Sequence, residues 1–537
     1  MLRRLFSGTL ALLRFLLRRD RLRIPAWLLG VAGLTVICVP LFADLFGDPQ
    51  EIQSVGEMMQ NPAMVAMLGP PYGLDNYHIG AMYANMMLVM MALFAGIMNV
   101  FLVTRHTRQD EELGRLEVIR SLPVGRLSNL AATLLAALKV NGAMALLIGL
   151  GMAAFGVESV TLGGSMLFGA AMGAAGLVFA GVTAVFCQIS SNNRSASGLS
   201  LAFLMGVYLL RGVGDVAWEP FALLSPLGII SRTQAFVGNY WWPVLILLGG
   251  FVLFALIALV FARARDLGQG MAAARPGRGS GGPQLSGPLG LALRLSRGTL
   301  LAWGAGFLLV GVMYGSIVNE MGAFIAGSEM LQMMFAMGAG DGASYTEEFV
   351  GALMVVLSIV ATISVLGLML RLRGEEKQGF TEQVLSGSVS RGGLFGSYFG
   401  IALVGGALFQ LFAALSFWGT ASLVMDTPQI LGEYMATAMS YLPAMWVFLG
   451  LSALLIGCFP KGTGFTYGYL GVSFFVVYMG GLVGFPDWVL ILTPFGNIPR
   501  LPLAAGDVWP PLILTAIAIL LSALGFAGYR RRDMQSG

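Results

Sequence analysis

The chain has 537 residues, of which 57% are hydrophobic and 11% charged, with a mean hydropathy of +0.80 and a formal net charge of +4. Soluble chains carry about 25% charged residues, so this one could not cover a water-facing surface, and a water-soluble enzyme is excluded. Its 74 glycines suit helices that pack closely in lipid. The fold class is an all-α polytopic membrane protein.

Residues 2–23 come first. Leu2, Leu5, Phe6, Leu13, Leu16 and Leu17 alternate with Arg3, Arg4, Arg14, Arg18 and Arg21, the pattern of a basic interfacial helix. A spanning helix needs roughly 20 mostly apolar residues. Twelve such runs follow, at about 24–46, 79–103, 127–153, 163–189, 198–215, 243–262, 299–318, 349–370, 393–424, 435–458, 464–485 and 508–529. The ninth is too long for one straight crossing and is expected to include a capping turn near Gly419. The first follows an Arg-rich opening, as a secretory signal does. Its internal counterpart at 299–318 cannot be cleaved, so 24–46 is read as a retained span.

An even number of spans puts both ends on one side. The segments on that side hold 27 of the 31 Lys and Arg residues, leaving Lys139, Arg211, Arg232 and Arg500 elsewhere. Conversely, 17 of the 27 acidic residues fall on or near the opposite side. The positive-inside bias therefore predicts a multi-pass protein of the cell membrane with both termini cytoplasmic. Cys38, Cys187 and Cys458 sit in apolar runs without paired spacing, and His78 and His106 lie apart. Neither a disulfide framework nor a metal site is expected.

The chain is written twice. RHTRQDEELGRLEVIRSLPVGR (105–126) recurs as RLRGEEKQGFTEQVLSGSVSR (371–391), pairing Arg108 with Arg373, Glu111 with Glu376, Gly114 with Gly379, Glu117 with Glu382 and Arg126 with Arg391. Asp110 and Glu375 form a conservative pair. EMMQ (57–60) recurs as EMLQ (329–332), and SPLGIISR (225–232) as TPFGNIPR (493–500), each of the latter followed by Trp-Pro. This predicts two homologous six-helix halves in parallel orientation, twelve transmembrane helices around one central path. Residues 1–262 make the first half with its amphipathic helix. Residues 263–298 make a cytoplasmic linker and a second connecting helix, and 299–537 the second half.

No catalytic constellation is visible. The chain lacks a G-x-x-x-x-G-K-[ST] loop, an HExxH pair and a nucleophile elbow. Ionisable groups near the bilayer midplane are scarce, unlike in ion-driven carriers, so the energy for transport should arrive from elsewhere. The repeated charged segments are where it could arrive. Leu113, Leu116, Ile119 and Leu122 recur every three residues, while Asp110, Glu111, Glu112, Arg115 and Glu117 point largely elsewhere. A short amphipathic helix along the membrane surface is expected. Its mixed charges suit docking against another protein; an ordinary solvated loop is the plainer alternative.

The pattern R-x-x-D/E-E-x-x-G-x-x-E followed by P-V-G-R, the duplicated halves and the opening LLRFLLRRDRLRIPAW resemble the fused permease subunits of ATP-binding-cassette exporters of the tetronasin and polyketide-antibiotic type. The resemblance covers essentially the whole chain. It implies the exporter fold with an external hairpin between the fifth and sixth spans of each half. It also implies that both repeated segments are coupling helices docking into two copies of a separate ATPase subunit. Docking would fall to Arg108, Asp110, Glu111, Glu112, Gly114 and Glu117, and to Arg373, Glu375, Glu376, Gly379 and Glu382. ATP and Mg would sit on those partners, and this chain would bind no cofactor. The cargo would be hydrophobic antibiotics or other amphiphiles. Ser388 and Lys377 stand where the first copy has Pro123 and Glu112, so the two sites need not be equal.

Met82, Met86 and Met90 share one face of the second span, and thioethers are common at promiscuous binding surfaces. Further clusters, Met58, Met59, Met64 and Met67, and Met330, Met333, Met334 and Met337, are read as external amphipathic helices. Lys139, with Asn141 two residues on, is the charge deepest in a span. These are the substrate-path candidates, although Met is often packing and Lys139 can snorkel. Gly169 and Gly173 point to close helix packing. Two rivals remain: an autonomous ion-coupled carrier of amphiphiles, and a membrane-integral lipid enzyme, for which no acid, base or nucleophile cluster exists. Nucleic acid is not an expected partner. Reversing Glu111 and Glu376 to Arg is expected to weaken ATPase association while sparing insertion.

Overall fold

A computed structural model describes residues 2–266, 268–271, 282, 285, 287–318, 345–425, 430–483, 487–498 and 509–533. Among them every regular element is helical. The amphipathic helix α1 spans Thr9–Arg19. The long helices of the first unit are α2 (Arg23–Leu45), α3 (Ile79–Glu112), α4 (Ser128–Ala154), α5 (Leu162–Ile189), α6 (Asn193–Ala217) and α7 (Trp242–Ala264). The second unit holds α8 (Pro288–Ser316), α9 (Tyr345–Lys377), α10 (Arg391–Val424), α11 (Leu431–Cys458), α12 (Phe465–Val483) and α13 (Trp509–Arg531). By length and composition, 11 of these helices can cross a membrane, and within α12 the stretch Phe465–Tyr478 is a shorter apolar helix.

The chain divides into two compact units, Met1–Gly277 and Arg278–Gly537. Each is built the same way. In the first, α5 packs on α3 and α7, and α2 on α4; in the second, α11 packs on α9 and α13, and α8 on α10. Helix α5 is buried along most of its length. Its Gly169 lies where an added Cβ would stand 2.3 Å from the Ala145 carbonyl oxygen, so α4 and α5 meet backbone to backbone, as the glycine pair suggested.

Three sequence expectations are corrected. α10 continues as one 34-residue helix to Val424, with no turn at Gly419, because nothing in GTASLV forces the backbone out of helix. The connecting helix expected within 263–298 and the span expected at 299–318 form one helix, α8, which begins at Pro288, where Pro occupies the favoured first helical turn. And α3 and α9 run past the span ends expected near 103 and 370, to Glu112 and Lys377, carrying the first charged residues of the repeated segments on their own last turns. In α3 this stretch is a π-helical turn, Arg105–Gln109, a distortion often found at functional positions.

The recurring SPLGIISR and TPFGNIPR have a local cause. The Ser225 and Thr493 hydroxyls accept the Leu227 and Gly496 amides, and a proline follows each as the first helical residue. Glu219–Leu223 and Pro226–Ser231 form the connection between α6 and α7. Of the Met clusters expected to be external, the first falls on helices Pro49–Met58 and Pro62–Leu68 and on Met59 in the turn between them, with Met59 and Met64 buried. Met330, Met333, Met334 and Met337 lie outside the described residues.

Candidate functional site

The repeated segments fold alike, and a glycine decides how. After α3 the chain turns at Gly114 (φ 68°) and after α9 at Gly379 (φ 75°), the left-handed region that side chains disfavour. Each turn launches a short helix, Arg115–Arg120 or Phe380–Leu385, with Glu117 or Glu382 in its first turn, where a carboxylate complements the dipole. The amphipathic helix is thus broken at Gly114. Leu116 is buried and Ile119 half-buried against α1, whereas Leu113 and Leu122 are exposed.

Behind each tip lies a buried Arg–Glu–Arg arrangement. Arg108 Nη1 is 3.3 Å from Glu111 Oε2 one turn on. From the end of α7, Arg265 donates to both carboxylate oxygens at 2.8 and 2.9 Å, and the Gly268 amide adds a third bond at 2.7 Å. In the second unit Arg373 Nη1 is 3.2 Å from Glu376 Oε2, and Arg532, just past α13, donates to both oxygens at 2.6 Å. The loop then returns: Arg126 donates to the Arg265 carbonyl at 2.7 Å and Arg391 to the Arg532 carbonyl at 2.9 Å. Bidentate charge-assisted bonds fix direction as well as distance, and a carboxylate this buried requires such partners.

A second network belongs to the first unit. Asp110 binds Arg19 of α1 at 2.7 Å and Arg115 of the tip at 3.2 Å. Asp20, beside it, is 3.2 Å from Arg105 Nε and 3.0 Å from His106 Nε2. Burial alone would raise the Asp20 carboxyl; the His106 hydrogen bond and charge, with Arg19 and Arg23, outweigh it and hold Asp20 below its ordinary value. The stability this lowering contributes is present above the usual Asp range and is lost as pH falls below it. Helix α1 is accordingly not free in the interface: Leu12, Leu13 and Leu16 pack on Ala132 and Ala136 of α4.

These contacts redistribute the expected docking residues. Arg108, Asp110, Glu111, Arg373 and Glu376 are buried among partners of their own unit. Glu375 is half-buried beside Arg371 at 3.5 Å, and the exposed Glu112 accepts the Asn193 amide at 2.6 Å. Of the expected docking residues, Glu117 and Glu382 alone combine exposure with position on a tip helix. Reversing Glu111 and Glu376 would place arginine among buried arginines, so the expectation that insertion is spared loses its basis.

The path candidates also separate. Met82 is buried, Met86 and Met90 half-buried. Lys139 lies on the exposed face of α4, whereas Asn141 is 0% exposed and exchanges two amide bonds with Asn99 of α3, at 3.0 and 2.8 Å. Lys139 and Asn141 therefore share no surface. In the second unit the buried Gln410 of α10 donates to Ser358 of α9, so a buried polar pair joins the corresponding helices in both. Among the described residues no group of three or more His, Cys, Asp or Glu side chains gathers as a metal site.

Sequence comparison adds what geometry cannot. A model of the family described as "Multidrug efflux system permease Rv1217c, C-terminal domain" matches residues 10–263 and 285–530. The chain is 34% identical over 537 residues to the multidrug efflux system permease protein Rv1217c of Mycobacterium tuberculosis, covering 99% of this chain and 96% of that one. The chain belongs to the multidrug efflux permease family. It is a multi-pass membrane protein and a transport component rather than an enzyme.

In this permease the residues that sequence reading missed are Arg265 and Arg532. The signal was present. RARD (263–266) and RRRD (530–533) stand 267 residues apart, the same separation as the two Trp-Pro pairs that open α7 and α13. In the sequence alone both stretches register only as part of the basic bias. Asn99, Ser358 and Gln410 had no such signal, since a lone amide in an apolar run does not announce its partner.

Proposed function

We propose that this permease is the membrane-spanning part of an ATP-driven exporter of hydrophobic or amphiphilic compounds, worked by two copies of a separate ATP-binding-cassette ATPase. The chain crosses the membrane twelve times as two parallel six-helix halves, with both termini cytoplasmic. ATP and Mg bind on the partners. The observation that carries this reading is the pair of exposed tip helices, each launched by a left-handed glycine and each held rigidly from behind. A rigid, exposed handle present once per unit is what an external motor needs. The first tip offers Leu113, Glu117, Val118 and Leu122, the second Phe380, Glu382 and Gln383. Both combine apolar area with one carboxylate, a surface suited to a cleft with a basic rim.

The test leaves the buried arginines alone. Glu117→Lys combined with Glu382→Lys should leave membrane insertion unchanged and cost at most about 1 kcal/mol per tip helix, the value of a surface charge at a helix N-terminus. Recovery of an associated ATPase and cargo-stimulated ATP hydrolysis should both fall, by about tenfold or more if each charge contributes about 1 kcal/mol to docking. Unchanged recovery and unchanged hydrolysis would remove the tips from the docking surface.

The ion-coupled carrier remains the second reading because one buried charged cluster could serve it. Arg211 and Asp215 of α6, each 0% exposed at the side chain, are 3.1 Å apart, and Arg232 closes on Asp215 at 3.2 Å. Its bonding favours an architectural role: Arg211 also donates to the Ala66 and Met67 carbonyls at 2.7 and 2.9 Å, anchoring the helix Pro62–Leu68.

A further inference from the structure

The Arg–Glu–Arg arrangement joins elements that are far apart in sequence: the end of α3 with its tip, and the end of α7, 154 residues on; likewise the end of α9 and the residue after α13, 156 residues on. We propose that this duplicated clasp transmits displacement of each tip helix into the last spanning helix of its unit, so that Arg265 and Arg532 are positioning residues for transport. The proposal rests on the reading that an ATPase moves the tips.

Three features single the clasp out from ordinary stabilising contacts. First, the tip is tied to the far helix on both sides. Glu111 precedes it and Arg126 follows it, and both bind Arg265, one through the guanidinium and one through the carbonyl; Glu376 and Arg391 treat Arg532 identically. A tip strapped at both ends cannot shift without dragging the end of α7 or α13. Second, those helices lead inward: α7 packs on α5 and α13 on α11, the latter so closely that an added Cβ on Gly457 would stand 2.0 Å from the Gly525 carbonyl oxygen. Packed helices pass on rigid shifts rather than absorbing them. Third, the clasp repeats where other polar devices differ. The Asp20 and Asp110 network ties α1 in the first unit, and the buried amide pairs use different residues in each. Apolar packing could hold two helix ends together as well or better; a bidentate pair adds a fixed direction of pull.

The experiment uses the full chain in lipid nanodiscs and vesicles with Arg265→Gln, Arg532→Gln, the double variant and Arg532→Lys. Each glutamine leaves the opposing Glu111 or Glu376 still paired with Arg108 or Arg373. The ATPase that accompanies the wild type should still bind and hydrolyse ATP within about twofold. Ethidium transport per ATP should fall by about 5- to 150-fold, the usual span of a coupling energy, and Arg532→Lys, which keeps the charge, should recover part of it. Equal losses of transport, ATP hydrolysis and folded protein would mean that the clasp only holds the structure, and the proposal would fall. Hydrogen exchange separates this from failure of the functional reading. Even without any ATPase, Arg532→Gln should speed amide exchange at 380–391 and 525–532 together. Exchange that rises at the tip and not at the end of α13 overturns the link, whereas a wild type that transports without an ATPase overturns the functional reading alone.

Discussion

Asp215→Ala should destabilise the first unit by about 3–5 kcal/mol, the cost of leaving buried charge uncompensated. Two guanidiniums converge on this carboxylate, Arg211 at 3.1 Å and Arg232 at 3.2 Å. Without it Arg211 keeps the Ala66 and Met67 carbonyls and the face of Tyr208, none of which carries a charge. Arg232 keeps the Tyr72 hydroxyl, which is neutral, and Glu219 at 3.2 Å, whose side chain is 68% exposed and screened by solvent. Asp215→Asn preserves shape and a single acceptor, so it should cost less than alanine and more than any exposed carboxylate substitution. Thermal unfolding in detergent measures the order: alanine below asparagine below wild type. Asp215→Ala melting with the wild type would mean that the cluster is solvated and the two arginines do not depend on it.

Gly457→Val should damage the second unit by about 1–3 kcal/mol or more, the range for overpacking a tight contact. At this crossing an added Cβ on Gly457 would stand 2.0 Å from the Gly525 carbonyl oxygen, and one on Gly525 2.4 Å from the Ala453 carbonyl carbon. Both opposing atoms are backbone, so no rotamer change relieves the clash and α11 and α13 must separate. Gly400 of α10 is the control, because nothing lies within 4 Å of its added Cβ. Gly400→Ala should be neutral or slightly stabilising, since alanine is the better helix former. Yield of folded protein and melting temperature report both; equal behaviour of the two variants would contradict the close crossing. Because α13 ends beside Arg532, surviving Gly457→Val protein should also exchange amides faster at 525–532.

The helices were legible in the sequence because lipid demands long apolar runs, and their ends were not, because charge can follow a helix out of the membrane. Arg108 and Glu111 were read as part of a surface segment; they ride on the last turns of α3, where i,i+3 spacing lets them pair. Repetition identified Glu111, Glu376, Gly114 and Gly379 as special without telling two reasons apart. The glycines serve a left-handed turn and the glutamates a buried ion pair, and neither requirement is docking. What stayed hidden was long-range pairing: Arg265 with Glu111, Asn99 with Asn141, Leu13 with Ala132. Composition and period report which residues leave water, not which neighbour they meet.

The measurement that tests the central claim most directly is transport by the purified chain alone in sealed vesicles, with imposed proton and sodium gradients and ethidium as cargo. The account predicts no gradient-driven accumulation, and accumulation only when the accompanying ATPase and ATP with Mg are supplied. Gradient-driven pumping by the chain alone would contradict it.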